Sequence, residues 1–83
     1  MKKIYKEVNE IEQETTINVL YEEEIISIYT NKVDLQKKLN KLLGEPTIEN
    51  KIKRTIVGSM WEVPLKEKSK ISQMILKVNI FDL

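Results

Sequence analysis

Residues 30–46 constrain the fold more than any other stretch, because their start, middle and end all carry helix signals. Asn31 is a favourable N-cap, since its side-chain oxygen can accept a hydrogen bond from a free amide of the first turn. Gly44 suits the left-handed conformation that ends many helices, and Pro46 prevents the helix from continuing. Four leucines between these signals form one apolar stripe: Leu35, Leu39, Leu42 and Leu43. The sequence therefore predicts a helix with a single apolar face.

The composition predicts that much of the remaining chain forms a β-sheet. Of its 83 residues, 41% are hydrophobic and 33% are charged, which is typical of a globular protein. The chain has twelve isoleucines and no alanine, and isoleucine favours strands. A chain of this length is expected to form one domain, residues 1–83, of the α+β class.

Two segments before the predicted helix alternate between faces, as β-strands do. Residues 15–21 and residues 25–30 are rich in β-branched and aromatic side chains and are predicted to pair as a hairpin. Glu22, Glu23 and Glu24 lie between them. These three adjacent carboxylates favour solvent, so they are predicted to form the turn.

Two later segments are predicted to form a second hairpin. Residues 51–63 alternate, with Gly58 marking a bulge and Pro64 ending the strand or placing it on an edge of the sheet. Residues 74–80 alternate most regularly and are predicted to pair with them across a charged turn. A helix over residues 69–76 is the alternative for this region.

Residues 1–13 are compatible with two structures. Ile4, Val8 and Ile11 are spaced for one face of a helix, but three apolar contacts are equally compatible with a mobile N-terminal arm. The predicted order is therefore (α)-β-β-α-β-β. One helix would cover one face of an antiparallel sheet of about four strands.

Histidine and cysteine are both absent from the chain. Their absence removes the commonest general base, the soft metal ligands and the usual nucleophile pairs. The sequence also lacks a glycine-rich phosphate loop and the spacings of zinc and calcium motifs. We therefore expect no enzyme activity, no catalytic residues, no cofactor and no bound metal. No apolar run approaches the ~20 residues of a membrane span, so a cytoplasmic protein without membrane contact is expected.

The charge distribution favours a small, non-enzymatic module that binds another protein, as a regulator, an inhibitor or an accessory subunit. Residues 1–24 carry a net charge of −4 and residues 25–83 a net charge of +5. Opposite fields of this kind can attract a partner, or a second copy of the chain in a homodimer. An edge strand at Pro64 would also expose apolar side chains. The candidate partner-binding residues are Met60, Trp61, Val63, Glu22, Glu23 and Glu24.

Both parts of this candidate set also have a purely structural interpretation. A lone tryptophan in a small domain commonly anchors the hydrophobic core, which would bury Trp61. Adjacent glutamates commonly form a solvated turn without a partner.

Nucleic-acid binding is the alternative function, because a lysine-rich helix face and strand can contact phosphate. The chain has a single arginine, Arg54, which limits bidentate recognition of phosphates and bases. Alternation places Arg54 beside Ile52 and Ile56, where it is expected to pair with Glu62 or with a glutamate of the first hairpin. The candidate residues for this function are Lys37, Lys38, Lys41, Lys51, Lys53 and Arg54.

Overall fold

The computed structural model describes residues 3–81, which form an α+β fold with a mixed sheet and two helices. The strands are β1 (Ile4–Tyr5), β2 (Thr15–Leu20), β3 (Ile25–Thr30), β4 (Ile48–Ile52) and β5 (Thr55–Pro64). The helices are α1 (Val33–Leu43) and α2 (Lys68–Leu76), and a short 3₁₀ turn occupies Glu10–Glu12. None of the helices within residues 3–81 has the length and apolar character needed to cross a membrane.

β5 is the central strand of the sheet. β3 pairs antiparallel with its residues 59–64, and β4 pairs antiparallel with its residues 55–60. β1 pairs parallel with Thr55 and Ile56, which also pair with β4. Since a strand has only two edges, β1 must lie on the edge of β5 that β3 occupies. The order across the sheet is therefore β4, β5, β3 and β2, with β1 continuing the line of β3.

Both helices pack against the same face of the sheet, which we call the covered face. Paired residues of β2, β3 and β5 form rows across it, for example Ile17–Ile28–Trp61. The buried core cluster combines such residues with side chains of both helices and of the C-terminal segment. It contains Ile28, Leu35, Leu39, Trp61, Val63, Met74, Val78 and Ile80.

The prediction of the central helix is confirmed, but its N-terminus is held differently from the prediction. Leu35 and Leu39 are buried, and Gly44 ends α1 with φ = 86°. Asn31 does not cap the helix; its side chain is hydrogen bonded to the backbone of residues 12 and 14. A carboxylate from outside the helix accepts from its first turn instead, because Val33 N–H donates to Glu7 Oε2 at 2.9 Å.

The first predicted hairpin is confirmed, with a turn at residues 21–24 in which Glu24 adopts a positive φ of 57°. One of the two predictions for residues 1–13, a single helix, is wrong for the described part of this segment, which excludes residues 1 and 2. This part contains β1 and the 3₁₀ turn. The other prediction, a mobile arm, stays a prediction. The Tyr5 hydroxyl accepts a hydrogen bond from the Asn40 side chain and so ties β1 to α1.

The prediction of a strand at residues 74–80 is wrong, and the alternative of a helix over residues 69–76 is confirmed, because residues 68–76 form α2. Met74 packs in the core from this helix, whereas Leu76 is 81% exposed. Val78 and Ile80 are buried after the helix has ended. A helix followed by a short irregular segment thus produces the alternation that resembled a strand, and no second strand from this region joins the sheet.

The second hairpin has strands different from those predicted. Lys53 and Arg54 form a two-residue turn between β4 and β5, with Lys53 at φ = 58°, so residues 51–57 do not form one strand. The predicted bulge is confirmed, since the pairing shifts between Asn50–Gly58 and Lys51–Ile56. The shift leaves Val57 as an extra residue in β5 directly before Gly58.

Candidate functional site

Within residues 3–81, no helix covers the second face of the sheet, which we call the open face. Three of its rows are Thr16–Tyr29–Met60–Ile48, Asn18–Ser27–Glu62 and Leu20–Ile25–Pro64. These ten residues include one charged side chain, Glu62, in a protein of which 33% of the residues are charged. Ile48 is 50% exposed and Leu20 is 38% exposed on this face. The open face is therefore less charged than the rest of the protein and exposes apolar side chains.

The centre of the open face is tightly packed. The Tyr29 ring lies against Gly58, where an added Cβ would be 2.5 Å from the tyrosine hydroxyl oxygen and 3.0 Å from two ring carbons. Ordinary van der Waals contacts are longer than this, so glycine is required for the ring to occupy its place. The Tyr29 ring is consequently packed directly against the backbone of β5 at this point.

β2 ends the sheet on its far side, and its outer edge is unpaired in residues 3–81. Glu14 directs its carbonyl and amide towards β3, where they meet the backbone amide and side chain of Asn31. Along an antiparallel strand, the backbone amide and carbonyl of successive residues point alternately towards one neighbouring strand and away from it. Thr15, Ile17 and Val19 therefore direct their amides and carbonyls outwards. We call these six backbone groups the β2 edge.

The side chains of β2 give the edge little protection. The strand contains no charged residue and no proline, and four of its six residues are exposed. Natural edge strands commonly carry lysine, proline or a bulge, which prevent pairing with another chain. β4 forms the other edge of the sheet and does carry charges, Glu49 and Lys51. The β2 edge is thus the unprotected one of the two.

Acidic residues lie at both ends of β2. Glu10, Glu12 and Glu14 precede the strand, and Glu22, Glu23 and Glu24 follow it. All six are exposed. Hydrogen bonds hold both clusters in place. Asn31 bonds to residues 12 and 14, and Leu65 N–H donates to Glu24 O at 2.9 Å. The predicted acidic turn is therefore one of two acidic clusters, and β2 joins them.

A groove of about 520 Å³ lies beside the first half of β2. Its apolar lining includes Ile17, Leu35 and Ile80. Its charged residues are Glu10, Glu14, Asp34, Lys32 and Lys38. The groove is therefore lined by both apolar and charged side chains, and it lies on the covered side of the β2 edge.

Two of the three predicted partner-binding residues in β5 are in the core. Trp61 is 2% exposed and Val63 is 3% exposed, whereas Met60 is half-buried on the open face. The prediction that Pro64 ends the strand is confirmed, whereas the alternative that it marks an edge strand is wrong, because β5 ends at Pro64 and is the central strand. Leu65 N–H donates to Glu24 O, directly before β3, so alternation turns the neighbouring Pro64 nitrogen away from β3, at a point of β5 beyond the Ile48–Met60 pair with β4. A missing N–H at this position breaks no pairing.

Trp61 connects three elements of the structure. Its ring packs in the core with residues of both helices, and its indole N–H donates to Gly44 O at 3.0 Å. The lone tryptophan is therefore the core anchor that the structural interpretation of the sequence describes.

The six basic candidates for nucleic-acid binding are all exposed. The Lys37 ammonium lies 5.8 Å from the centre of the Tyr5 ring, and Tyr5 is paired with Ile56, which is paired with Lys51 across β5. Arg54 was expected to share a strand face with isoleucines and to form an ion pair with Glu62 or with a glutamate of the first hairpin. It lies instead in the β4–β5 turn, and the described part of the chain shows no such pair.

A small ion-pair cluster lies at the β4 edge. Lys3 Nζ is 2.8 Å from Glu45 Oε2 and 2.6 Å from Glu49 Oε2. Partial burial lowers the pKa of Lys3, but its hydrogen bonds to Glu45 and Glu49 and the negative charges of these residues outweigh the burial and leave the pKa raised. The cluster is structural, because it joins the segment before β1 to β4.

The described residues contain no group of three or more acidic side chains placed to hold a metal ion. Sequence reasoning identified the second acidic cluster, residues 22–24, but missed the first cluster and the edge between them. The available signal was the six-residue stretch 15–20, which has no charge although it lies between two acidic stretches.

Comparisons with known proteins do not assign the chain to a family: no family model matches it, and no curated protein or solved structure matches it significantly.

Proposed function

We propose that this protein is a small, non-enzymatic module that acts by binding another protein. The observation that carries the proposal is the open face, where ten paired residues include one charge and two apolar side chains, Leu20 and Ile48, are substantially exposed. Water-exposed sheet faces normally alternate apolar residues inside with polar and charged residues outside. Surfaces of low charge with aromatic residues and methionine, here Tyr29 and Met60, are typical of the centres of protein interfaces.

Capture from a cell lysate of the source organism tests this function. The tagged wild-type chain is compared with Ile48→Lys, which adds a charge to the open face, and with Leu76→Lys, which adds the same charge to exposed α2. We expect the wild type and Leu76→Lys to retain one stoichiometric protein after nuclease treatment, and Ile48→Lys to lose it. Equal capture by both variants would show that the open face is not used.

Nucleic-acid binding is the second candidate function, and one observation favours it. Lys37 lies over the Tyr5 ring, and Tyr5 shares a row of the covered face with Lys51, with the buried Ile56 between them. An aromatic ring between cationic side chains resembles the stacking surfaces that bind single strands. Binding of nucleic acid through lysines would also depend strongly on the salt concentration.

Fluorescence anisotropy with a single-stranded oligonucleotide separates the two functions. One double variant combines Lys37→Glu with Lys51→Glu. The control double variant combines Lys66→Glu with Lys68→Glu, which makes the same charge change at exposed positions elsewhere. If the protein binds nucleic acid, we expect its affinity for the oligonucleotide to fall steeply with salt, and we expect only the first double variant to lose binding. Absence of binding by the wild type at low salt would remove this candidate.

A further inference from the structure

The β2 edge offers three backbone amides and three carbonyls, from Thr15, Ile17 and Val19, for which residues 3–81 supply no partner. An extended segment that lies along β2 would pair with all six groups and add a strand to the sheet. Main-chain hydrogen bonds of this kind provide affinity in known strand-addition complexes, and pockets for alternate side chains provide specificity. The groove beside Ile17 is in the position of such a pocket, because the side chains of Thr15, Ile17 and Val19 point to the covered face.

The charges around β2 select the chemistry of the added strand. The six residues of β2 are uncharged and span about 20 Å at about 3.3 Å per residue. The acidic clusters 10–14 and 22–24 lie at the two ends of this span. A segment with basic residues at both ends would place them opposite the glutamates, and complementary charges favour association and fix the register.

A second copy of this chain does not have this chemistry. In an antiparallel two-fold arrangement, the register centred on Ile17 uses all six groups of each edge. The same register brings residues 10–14 of one copy beside residues 22–24 of the other, at both ends of the interface. Since both segments are acidic, two copies repel each other where a basic partner would be attracted.

We propose that β2 binds an extended segment of another protein, consisting of about six uncharged, strand-forming residues with lysine or arginine at both ends. This inference rests on the proposed function and adds to it the binding edge and the partner chemistry. The segment pairs with the β2 edge, its ends contact the two acidic clusters, and alternate side chains enter the groove beside Ile17.

Fluorescent peptides of defined sequence test the inference with the wild-type protein. The probe is Lys-Lys-Thr-Val-Thr-Ile-Thr-Val-Lys-Lys, and its matched control replaces the four lysines with glutamate. We expect the glutamate peptide to bind at least about tenfold more weakly at low salt, with the difference shrinking as salt screens the charges. Equal binding of both peptides, or no binding of the lysine peptide, would overturn the proposal.

Backbone methylation tests the pairing itself. Two further peptides carry N-methyl groups on alternate residues of the central six, at odd or at even positions, so that each lacks the donors of one strand edge. We expect one of the two to lose binding by at least about tenfold, because its missing donors face β2. If both bind as tightly as the unmodified probe, the segment does not pair as a strand.

A charge-reversed protein gives the complementary test. The variant with Glu10, Glu12, Glu22 and Glu23 changed to lysine keeps Glu24, whose positive φ belongs to the turn. All four positions are exposed, and circular dichroism checks the fold. We expect this variant to prefer the glutamate peptide, and an unchanged preference for the lysine peptide would overturn the assignment of the acidic clusters.

The remaining outcomes separate this inference from the proposed function. If lysate capture depends on the open face while the lysine peptide fails to bind, the protein-binding function stands and the β2 inference falls. A concentration-dependent dimer in sedimentation equilibrium, with the amides of Thr15, Ile17 and Val19 protected from hydrogen exchange, would replace the basic partner with a second copy and overturn the proposal.

Discussion

β2 and β5 both have nearly uncharged sequences, but β2 lies at the edge of the sheet and β5 at its centre. β5 has strands on both edges, and five of its ten residues are buried. β2 has a strand on one edge only, and none of its six residues is buried. In β5 the lack of charge follows from burial. In β2 the half-buried Ile17 packs against the core, but burial does not explain the lack of charge at the four exposed residues, and this difference is the reason for assigning the edge a binding role.

The two outer strands sharpen the same contrast. β4 carries Glu49 and Lys51, and Lys3 forms an ion pair with Glu49 beside it. Charged side chains on an edge strand oppose pairing with other molecules, because any added strand must desolvate them. β2 has no equivalent. The sheet is thus protected on one side and available on the other.

The largest expected effect lies in β5. Trp61→Ala removes a core side chain and its hydrogen bond to Gly44, and we expect it to lower the free energy of unfolding by about 3–5 kcal/mol. Urea denaturation measures the change. Trp61→Phe, which keeps a ring in the core, should cost less. A loss below about 1 kcal/mol for the alanine variant would show that β5 is not the buried strand of the comparison.

The second effect lies on the open face of β5. Gly58→Ala places a methyl group against the Tyr29 ring, and we expect a loss of about 1–3 kcal/mol by overpacking. Thermal unfolding measures it. The same substitution in a Tyr29→Val background is the control, and its cost should fall because the ring is gone. An equal cost in both backgrounds would contradict the close contact.

The third effect lies at the charged edge. Lys3→Met removes the ion pairs with Glu45 and Glu49, and we expect a loss of about 0.2–1 kcal/mol at neutral pH. The folded pKa of Lys3 is raised above 10.5, so this contribution is fully present below 10.5 and is lost as pH rises through the folded pKa. Unfolding of both proteins near neutral pH and at strongly alkaline pH measures it. A gap that widens at alkaline pH would contradict the assignment.

The smallest effect lies in β2. Val19→Lys adds a charge to a residue that is 41% exposed, and we expect stability within about 0.5 kcal/mol of the wild type. The matched control is Val63→Lys in the same cross-strand row, which should prevent folding because the site is buried. Urea denaturation and circular dichroism compare the two. Similar behaviour of both variants would remove the contrast between the strands.

Local patterns predicted the parts of the fold that depend on neighbouring residues. The leucine stripe and Gly44 predicted α1, and alternation on either side of residues 22–24 predicted the first hairpin. These patterns succeed because burial on one face and backbone conformation at one glycine are decided within a few residues. The bulge before Gly58 succeeded for the same reason.

The errors concern contacts between distant residues. The alternation of apolar residues over 74–80 does not reveal that Met74 belongs to a helix and that Val78 lies after the end of this helix. Both side chains are buried in the same core, so the sequence pattern is the same. Pro64 is compatible with a central strand only because β4 does not extend along β5 as far as Pro64. No local sequence pattern predicts the extent of β4. The free β2 edge, likewise, follows from the strand order, and strand order is a property of the whole chain.

The parallel pairing of β1 also has a consequence for how the fold is reached. Ile4 pairs with Thr55, 51 residues later in the chain, whereas the two hairpins join residues that are close in sequence. Closing a long loop costs more entropy than closing a short one, so contacts of high sequence separation tend to form late. During synthesis β1 has no strand partner until β5 has emerged. The N-terminal segment is therefore expected to be the last to dock in folding and the first to detach in unfolding.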